Sequence, residues 1–160
     1  MNNKFSKKII LFLIVLTISL SLNSFIVMNE GNERKLTNWK LNSSTWSSNG
    51  TIICTATGEQ KSPQLIRDGN GGAIITWYDY RNGNDDIYAQ KIDSTGNIQW
   101  EENGTIICNE IGNQFSPNII SDNNGGAIIT WYDQRDGSSE NDIYAQKIDA
   151  NGAIQWKENG

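Results

Sequence analysis

The chain has 160 residues, with 13 Lys and Arg against 18 Asp and Glu, no His and two Cys. That length allows one ordinary domain and a leader, and the net charge of −5 argues against a nucleic-acid partner, which selects a basic face. Without His, the Ser-His-Asp triad and the common His-based metal sites are excluded; two Cys build neither a Cys-only zinc site nor a multi-bridge disulfide scaffold, and no cofactor is expected.

The first 28 residues read as a targeting segment. Lys4, Lys7 and Lys8 precede an apolar run from Ile9 to Leu22, broken only by Thr17, Ser19 and Ser21. A positive stretch followed by an apolar one is the pattern of a secretory signal. The apolar character resumes at Phe25 to Met28, so Ile9 to Met28 gives 20 residues, long enough to span a bilayer as a helix. The segment is therefore either a cleaved signal peptide or an uncleaved N-terminal membrane anchor. Both export the rest of the chain, with the lysines kept inside. Without residues 1–28 the balance is 10 basic to 18 acidic residues, a net charge of −8. That favours solubility and limits membrane contact to the N-terminal segment.

Residues 29–48 form a polar linker. Its end, Trp46-Ser47-Ser48-Asn49-Gly50, matches Trp100-Glu101-Glu102-Asn103-Gly104 and is the remnant of a preceding repeat. The remainder is one unit written twice, residues 49–102 and 103–158, with 37 of 54 positions identical. The second copy carries two extra residues around Ser138-Ser139-Glu140, and Asn159-Gly160 begins a third copy. A repeat of this length is a supersecondary unit that stacks on its neighbours.

Within each copy the pattern is strand. Thr51-Ile52-Ile53-Cys54 is short and β-branched. Leu65-Ile66 follows Pro63, which sets an extended start. Asp68 to Gly72 is turn chemistry, and Ala73 to Tyr78 is the strongest strand, apolar on both faces. Arg81 to Asn84 turns, Asp86 to Asp93 is a strand, Ser94 to Asn97 turns, and Ile98 to Trp100 closes the unit. The fold expected is all-β: two tandem four-stranded antiparallel blades of an incomplete β-propeller, after an N-terminal hydrophobic helix.

The residues Trp77, Asp79, Arg81, Asp86 to Gln90, Asp93, Gly96 and Trp100, and their counterparts Trp131, Asp133, Arg135, Asp142 to Gln146, Asp149, Gly152 and Trp156, carry a resemblance. The unit resembles the W-x-D-x-R … D-I-Y-A-Q-x-x-D-x-x-G-x-x-x-W repeats of exported bacterial and archaeal β-propeller proteins. The resemblance implies the architecture; such propellers host many functions. Asp93, Gly96 and Trp100 also resemble the Asp-box turn of sialidases, departing in spacing and in lacking its Thr. There the box staples a turn, so the likeness implies no catalysis. Propellers close with about 4 to 8 blades. Two blades are thus expected to be a piece of a longer propeller, which the break at Asn159-Gly160 favours, or to close a ring as a homo-oligomer. Small lectins assembled from two-blade subunits are similar to the second case.

Trp77, Asp79 and Arg81, with Trp131, Asp133 and Arg135, form the best candidate ligand site. In a continuing strand alternate residues share a face, so Trp supplies a stacking plane while Asp and Arg bind hydroxyls or an acidic group. The competing role is structural, with Trp in the inter-blade core and Asp–Arg as an ion pair. Asp68 to Gly72 and Asp122 to Gly126 each offer one carboxylate, which suits a turn better than a calcium loop. Asp85-Asp86 and Glu101-Glu102 are neighbours that point to opposite faces, not carboxylates opposed across a cleft. Asn42, Asn49 and Asn103 fit the N-x-S/T glycosylation pattern. Near-identity of the copies favours a non-catalytic exported module that binds or scaffolds at the cell surface, with a glycan or protein ligand. The alternative is part of a sialidase-like glycoside hydrolase whose catalytic residues lie on other blades.

Overall fold

A computed structural model describes residues 46–137 and 139–160. The expected leader helix, Asn42 and most of the linker lie outside them. The described residues are all-β, with two antiparallel sheets and no helix. The first sheet holds β1 (Gln60–Arg67), β2 (Ala73–Asp79), β3 (Asp86–Ile92) and β4 (Thr105–Cys108), in that order. The second holds β5 (Gln114–Ser121), β6 (Ala127–Asp133) and β7 (Asp142–Ile148).

This arrangement corrects the expected strand list. Thr51 to Cys54 forms no strand, whereas the same four residues in the second copy form β4. β4 does not open the second sheet; it pairs antiparallel with β3, Ile87 opposite Cys108, Tyr88 opposite Ile106 and Ala89 opposite Thr105. The first strand of the second repeat thus belongs to the sheet before it. Thr51–Cys54 has no preceding sheet among the described residues, and the second sheet has three strands, not four. Ile98 and Ile154 make only isolated bridges to Ile92 and Ile148, so Ile98 to Trp100 is a bridge and not a strand. Pro63 lies inside β1 at a bulge beside left-handed Ser62, and Pro117 and Ser116 repeat this in β5. A bulge on an edge strand tolerates a residue that lacks an N–H.

The sheets pack face to face. Ile74, Ile87 and Ala89 from one face of the first sheet meet Ala127, Ile129, Trp131 and Ile148 of the second, with Ile107 and Cys108 of β4 between them. The opposite face of the first sheet, Ala73, Ile75, Trp77, Tyr88 and Ile92, is covered in part by Ile53 and Cys54. Both faces of β2 are therefore apolar because both are packed. Lys91 fastens the stack: its Nζ donates to the carbonyls of Gly125 (3.1 Å) and Ala150 (3.4 Å), in the turns before β6 and after β7, and pairs with Asp68 at 3.7 Å.

Ile129 is fully buried in this shared core and Ile120 is 60% exposed. Ile129→Ala is expected to cost about 2–5 kcal/mol of stability and Ile120→Ala under about 0.5 kcal/mol, read from urea unfolding midpoints.

Candidate functional site

The Trp-Tyr-Asp-x-Arg segment closes β2 and β6. Trp77 and Asp79 alternate onto one face of β2, and the chain turns immediately afterwards, which folds Arg81 back over both. Asp79 Oδ2 accepts from Trp77 Nε1 at 2.9 Å and from Arg81 Nη2 at 2.6 Å, and its Oδ1 accepts from the Arg81 backbone at 3.0 Å. In the second copy Asp133 Oδ2 accepts from Trp131 Nε1 at 2.8 Å and Arg135 Nη2 at 2.7 Å, and Arg135 Nε adds a bond to Oδ1 at 3.0 Å. The guanidinium carbons stand 3.9 and 3.6 Å above the rings of Tyr88 and Tyr144, and those rings stack on Trp77 and Trp131.

The six candidate residues are thus brought together as two equivalent clusters. Both tryptophans and both aspartates are buried, and the arginines are the partly exposed members. Each guanidinium also reaches the next repeat: Arg81 Nη2 donates to Asn103 O at 2.9 Å and Arg135 Nη2 to Asn159 O at 2.6 Å. The following glycine then lies on the indole, since a Cβ on Gly104, at φ +99°, would come within 2.6 Å of Trp77. Burial alone would raise the Asp79 and Asp133 carboxyls, but the hydrogen bonds from Arg and Trp outweigh it and hold both below the usual carboxylate range. Asp86 is pushed up by burial, partly offset by Asn82 and Asn84. Cys108, beside Arg135, is pushed up to about 11 by burial and stays a neutral thiol.

The other sequence candidates fall elsewhere. Asp68 Oδ1 accepts from the Asn70 and Gly72 backbones at 2.8 Å each, and Asp122 does the same for Asn124 and Gly126, so these carboxylates staple turns. Asp93 Oδ1 takes bonds from Thr95 Oγ1 and the Thr95 and Asn97 backbones, which lower its pKa to about 2. Asn49 is exposed; Asn103 is half-buried and accepts from the Thr55 backbone at 2.8 Å. Gln90 and Gln146 appear in the sequence reading only as part of the repeat motif, with no role assigned. Each is fully buried and grips the end of its repeat, Gln90 donating to Glu101 O at 2.6 Å and accepting from Trp100 N at 3.1 Å. Their identity in both copies, at an inward position of a strand, was the available signal.

No protein-family model matches the chain, and neither a curated protein nor a solved structure is significantly similar to it.

Trp77→Ala is expected to remove about 3–5 kcal/mol, because it empties a core site and strips a donor from a buried carboxylate. Loss of a cooperative thermal transition is the readout; unchanged melting with altered ligand binding would make the indole a contact surface. The acid response has a defined sign. Asp79, Asp93, Asp122 and Asp133 all have folded-state pKa values below their unfolded ones. Their stabilisation is complete above about pH 4 and is lost as pH falls toward 2, while Asp86, shifted the other way, offsets part of it. Urea midpoints are expected to be flat from neutral pH to about 5 and to fall below 4, with a shallower fall in Asp93→Asn.

Proposed function

We propose that the chain is a non-catalytic, exported β-propeller repeat module that binds or scaffolds at the cell surface, with a glycan or a protein as ligand. The observation that carries this reading is the equivalence of the two Trp-Asp-Arg clusters, which share partners and nearly share distances. Acid–base catalysis works by placing titratable groups in unequal environments. Repetition instead multiplies one surface, which suits multivalent binding or a scaffold. A four-stranded antiparallel sheet that packs face to face on the next supports reading each sheet, rather than each sequence repeat, as a propeller blade. The Lys-led apolar segment at residues 4–28 supports export, by cleavage or as an anchor. The partly exposed arginines 81 and 135, each over a tyrosine ring, are the cationic members able to meet an acidic or hydroxyl-rich ligand.

The test is retention of the full chain on an array of immobilised glycans, followed by assay of the same glycans for released sugar. Retention without release is expected, lowered several-fold by Arg81→Lys and further by the double change with Arg135→Lys, each compared at a temperature where circular dichroism shows the variant folded, since both arginines also pair with buried carboxylates. Release of free sugar would overturn the reading in favour of a sialidase-like hydrolase.

A further inference from the structure

The sequence holds seven Asn-Gly pairs, beginning at Asn49, Asn70, Asn82, Asn103, Asn124, Asn151 and Asn159. Asparagine before glycine is chemically labile, because the following backbone nitrogen carries no Cβ on its residue to hinder approach to the side-chain carbonyl. That nitrogen must be free to turn and to lose its proton. In five of the pairs it is held, donating to the carbonyl three residues back: Gly50 to Ser47, Gly104 to Glu101 and Gly160 to Lys157 at 3.0 Å, Gly152 to Asp149 at 3.1 Å and Gly83 to Tyr80 at 3.3 Å. Three of those asparagine side chains are held as well: Asn82 donates to Asp86, Asn103 accepts from Thr55 and Asn159 donates to Glu110.

Asn70 and Asn124 differ. They are exposed and hold the same place in the turns Asp68–Gly72 and Asp122–Gly126. In each turn the aspartate Oδ1 accepts from the asparagine N–H and from the second glycine, and skips the first. The N–H groups of Gly71 and Gly125 therefore donate to no acceptor among the described residues.

We propose that Asn70 and Asn124 are sites of spontaneous deamidation, and that the change at Asn124 loosens the packing of the two sheets. Gly125 N gives its proton to hydroxide or water and attacks Asn124 Cγ. The Cγ–Nδ2 bond breaks, the nitrogen takes a proton from solvent and leaves as ammonia, and a five-membered succinimide remains. Water then opens the ring at either carbonyl. The product is an aspartyl residue, or an isoaspartyl one whose main chain runs through Cβ; each adds one negative charge. The isoaspartyl form puts an extra methylene into a turn closed by Asp122 N to Gly126 O at 3.2 Å and by Gly126 N to Asp122 Oδ1 at 2.9 Å. Gly125 O, next along the chain, accepts from Lys91 Nζ of β3 at 3.1 Å. The lengthened turn carries this carbonyl away from a buried ammonium, which is left with Ala150 O and Asp68. Gly71 O accepts no such cross-sheet bond among the described residues, so Asn70 undergoes the same chemistry without the same consequence. The inference stands apart from the identity of any ligand.

The test incubates the full chain in warm, mildly alkaline buffer, digests it at acid pH and scores the exchange of ammonia for water at each pair by mass spectrometry. Isoaspartyl methyltransferase labels the isoaspartyl product. Asn70 and Asn124 are expected to convert at least several-fold faster than Asn49, Asn103 and Asn151 in the folded chain, and at similar rates to them in guanidinium. Equal rates in the folded chain would overturn the proposal, as would the same ranking in guanidinium, which would assign it to sequence neighbours. Ageing is expected to lower the urea midpoint of the unmodified sequence. Asn124→Gln, whose longer side chain closes a ring less readily, is expected to remove most of that fall, and Asn70→Gln a smaller part. Neither asparagine is left-handed, so both variants are expected to start at the original midpoint. No fall on ageing, or Asn70→Gln sparing as much as Asn124→Gln, would overturn the role given to Asn124.

Discussion

β4 hydrogen-bonds to β3 of the first sheet, yet Ile107 and Cys108 on it pack against β6 of the second. One four-residue strand thus closes one sheet and forms part of the core over the next. Backbone pairing and side-chain burial, which in an isolated sheet would serve the same element, here join two different ones. The first sheet thus depends for its fourth strand on the repeat that comes after it in sequence.

The Trp-Asp-Arg cluster fixes where that strand begins. Arg81 reaches the carbonyl of Asn103, and Gly104 rests on the Trp77 indole, immediately before the chain enters β4. The turn from one repeat into the next is therefore anchored to the end of β2 in the preceding one. A buried carboxylate is costly unless its hydrogen bonds are met. Asp79 meets them from the indole, the guanidinium and a backbone amide at once, so the same bonds that neutralise its burial cost also order the junction. Gln90 acts similarly along β3, holding Trp100 and Glu101 close to the strand so that the Asn103 turn is presented to Arg81.

The strand content was legible because Ala73 to Tyr78 and Asp86 to Asp93 are β-branched and aromatic runs bounded by turn residues. The duplication was legible as plain identity. What the sequence could not convey was which sheet Thr105–Cys108 joins, since the repeat boundary at Asn103 marks where the pattern restarts and not where the hydrogen bonding does. A four-residue apolar strand carries no information about the identity of its neighbour. The pairing of Trp77 with Asp79 followed from their alternation along β2, whereas Arg81 joins them through the turn that ends the strand and not through a continuing strand. The depth at which Trp and Asp lie did not follow, because an alternating pattern gives a shared face without saying what covers it. Gln90 was hidden for a related reason: a polar residue inside an apolar strand looks like surface until its partners are known.

Duplication also separates local from contextual causes of burial. Ile87 and Ile143 occupy the same place in the same sequence, Asp-Ile-Tyr-Ala-Gln, with the same cross-strand partner type, Tyr78 and Tyr132. Propensity and β2–β3 or β6–β7 register are therefore equal for the two. Their exposures, 0% and 74%, differ because one faces a second sheet and the other does not. An isoleucine open to water contributes little to the fold of its own sheet and adds apolar surface that favours association. Its exposure at residue 143 therefore follows from the neighbour that the second sheet lacks among the described residues, and not from the sequence around it.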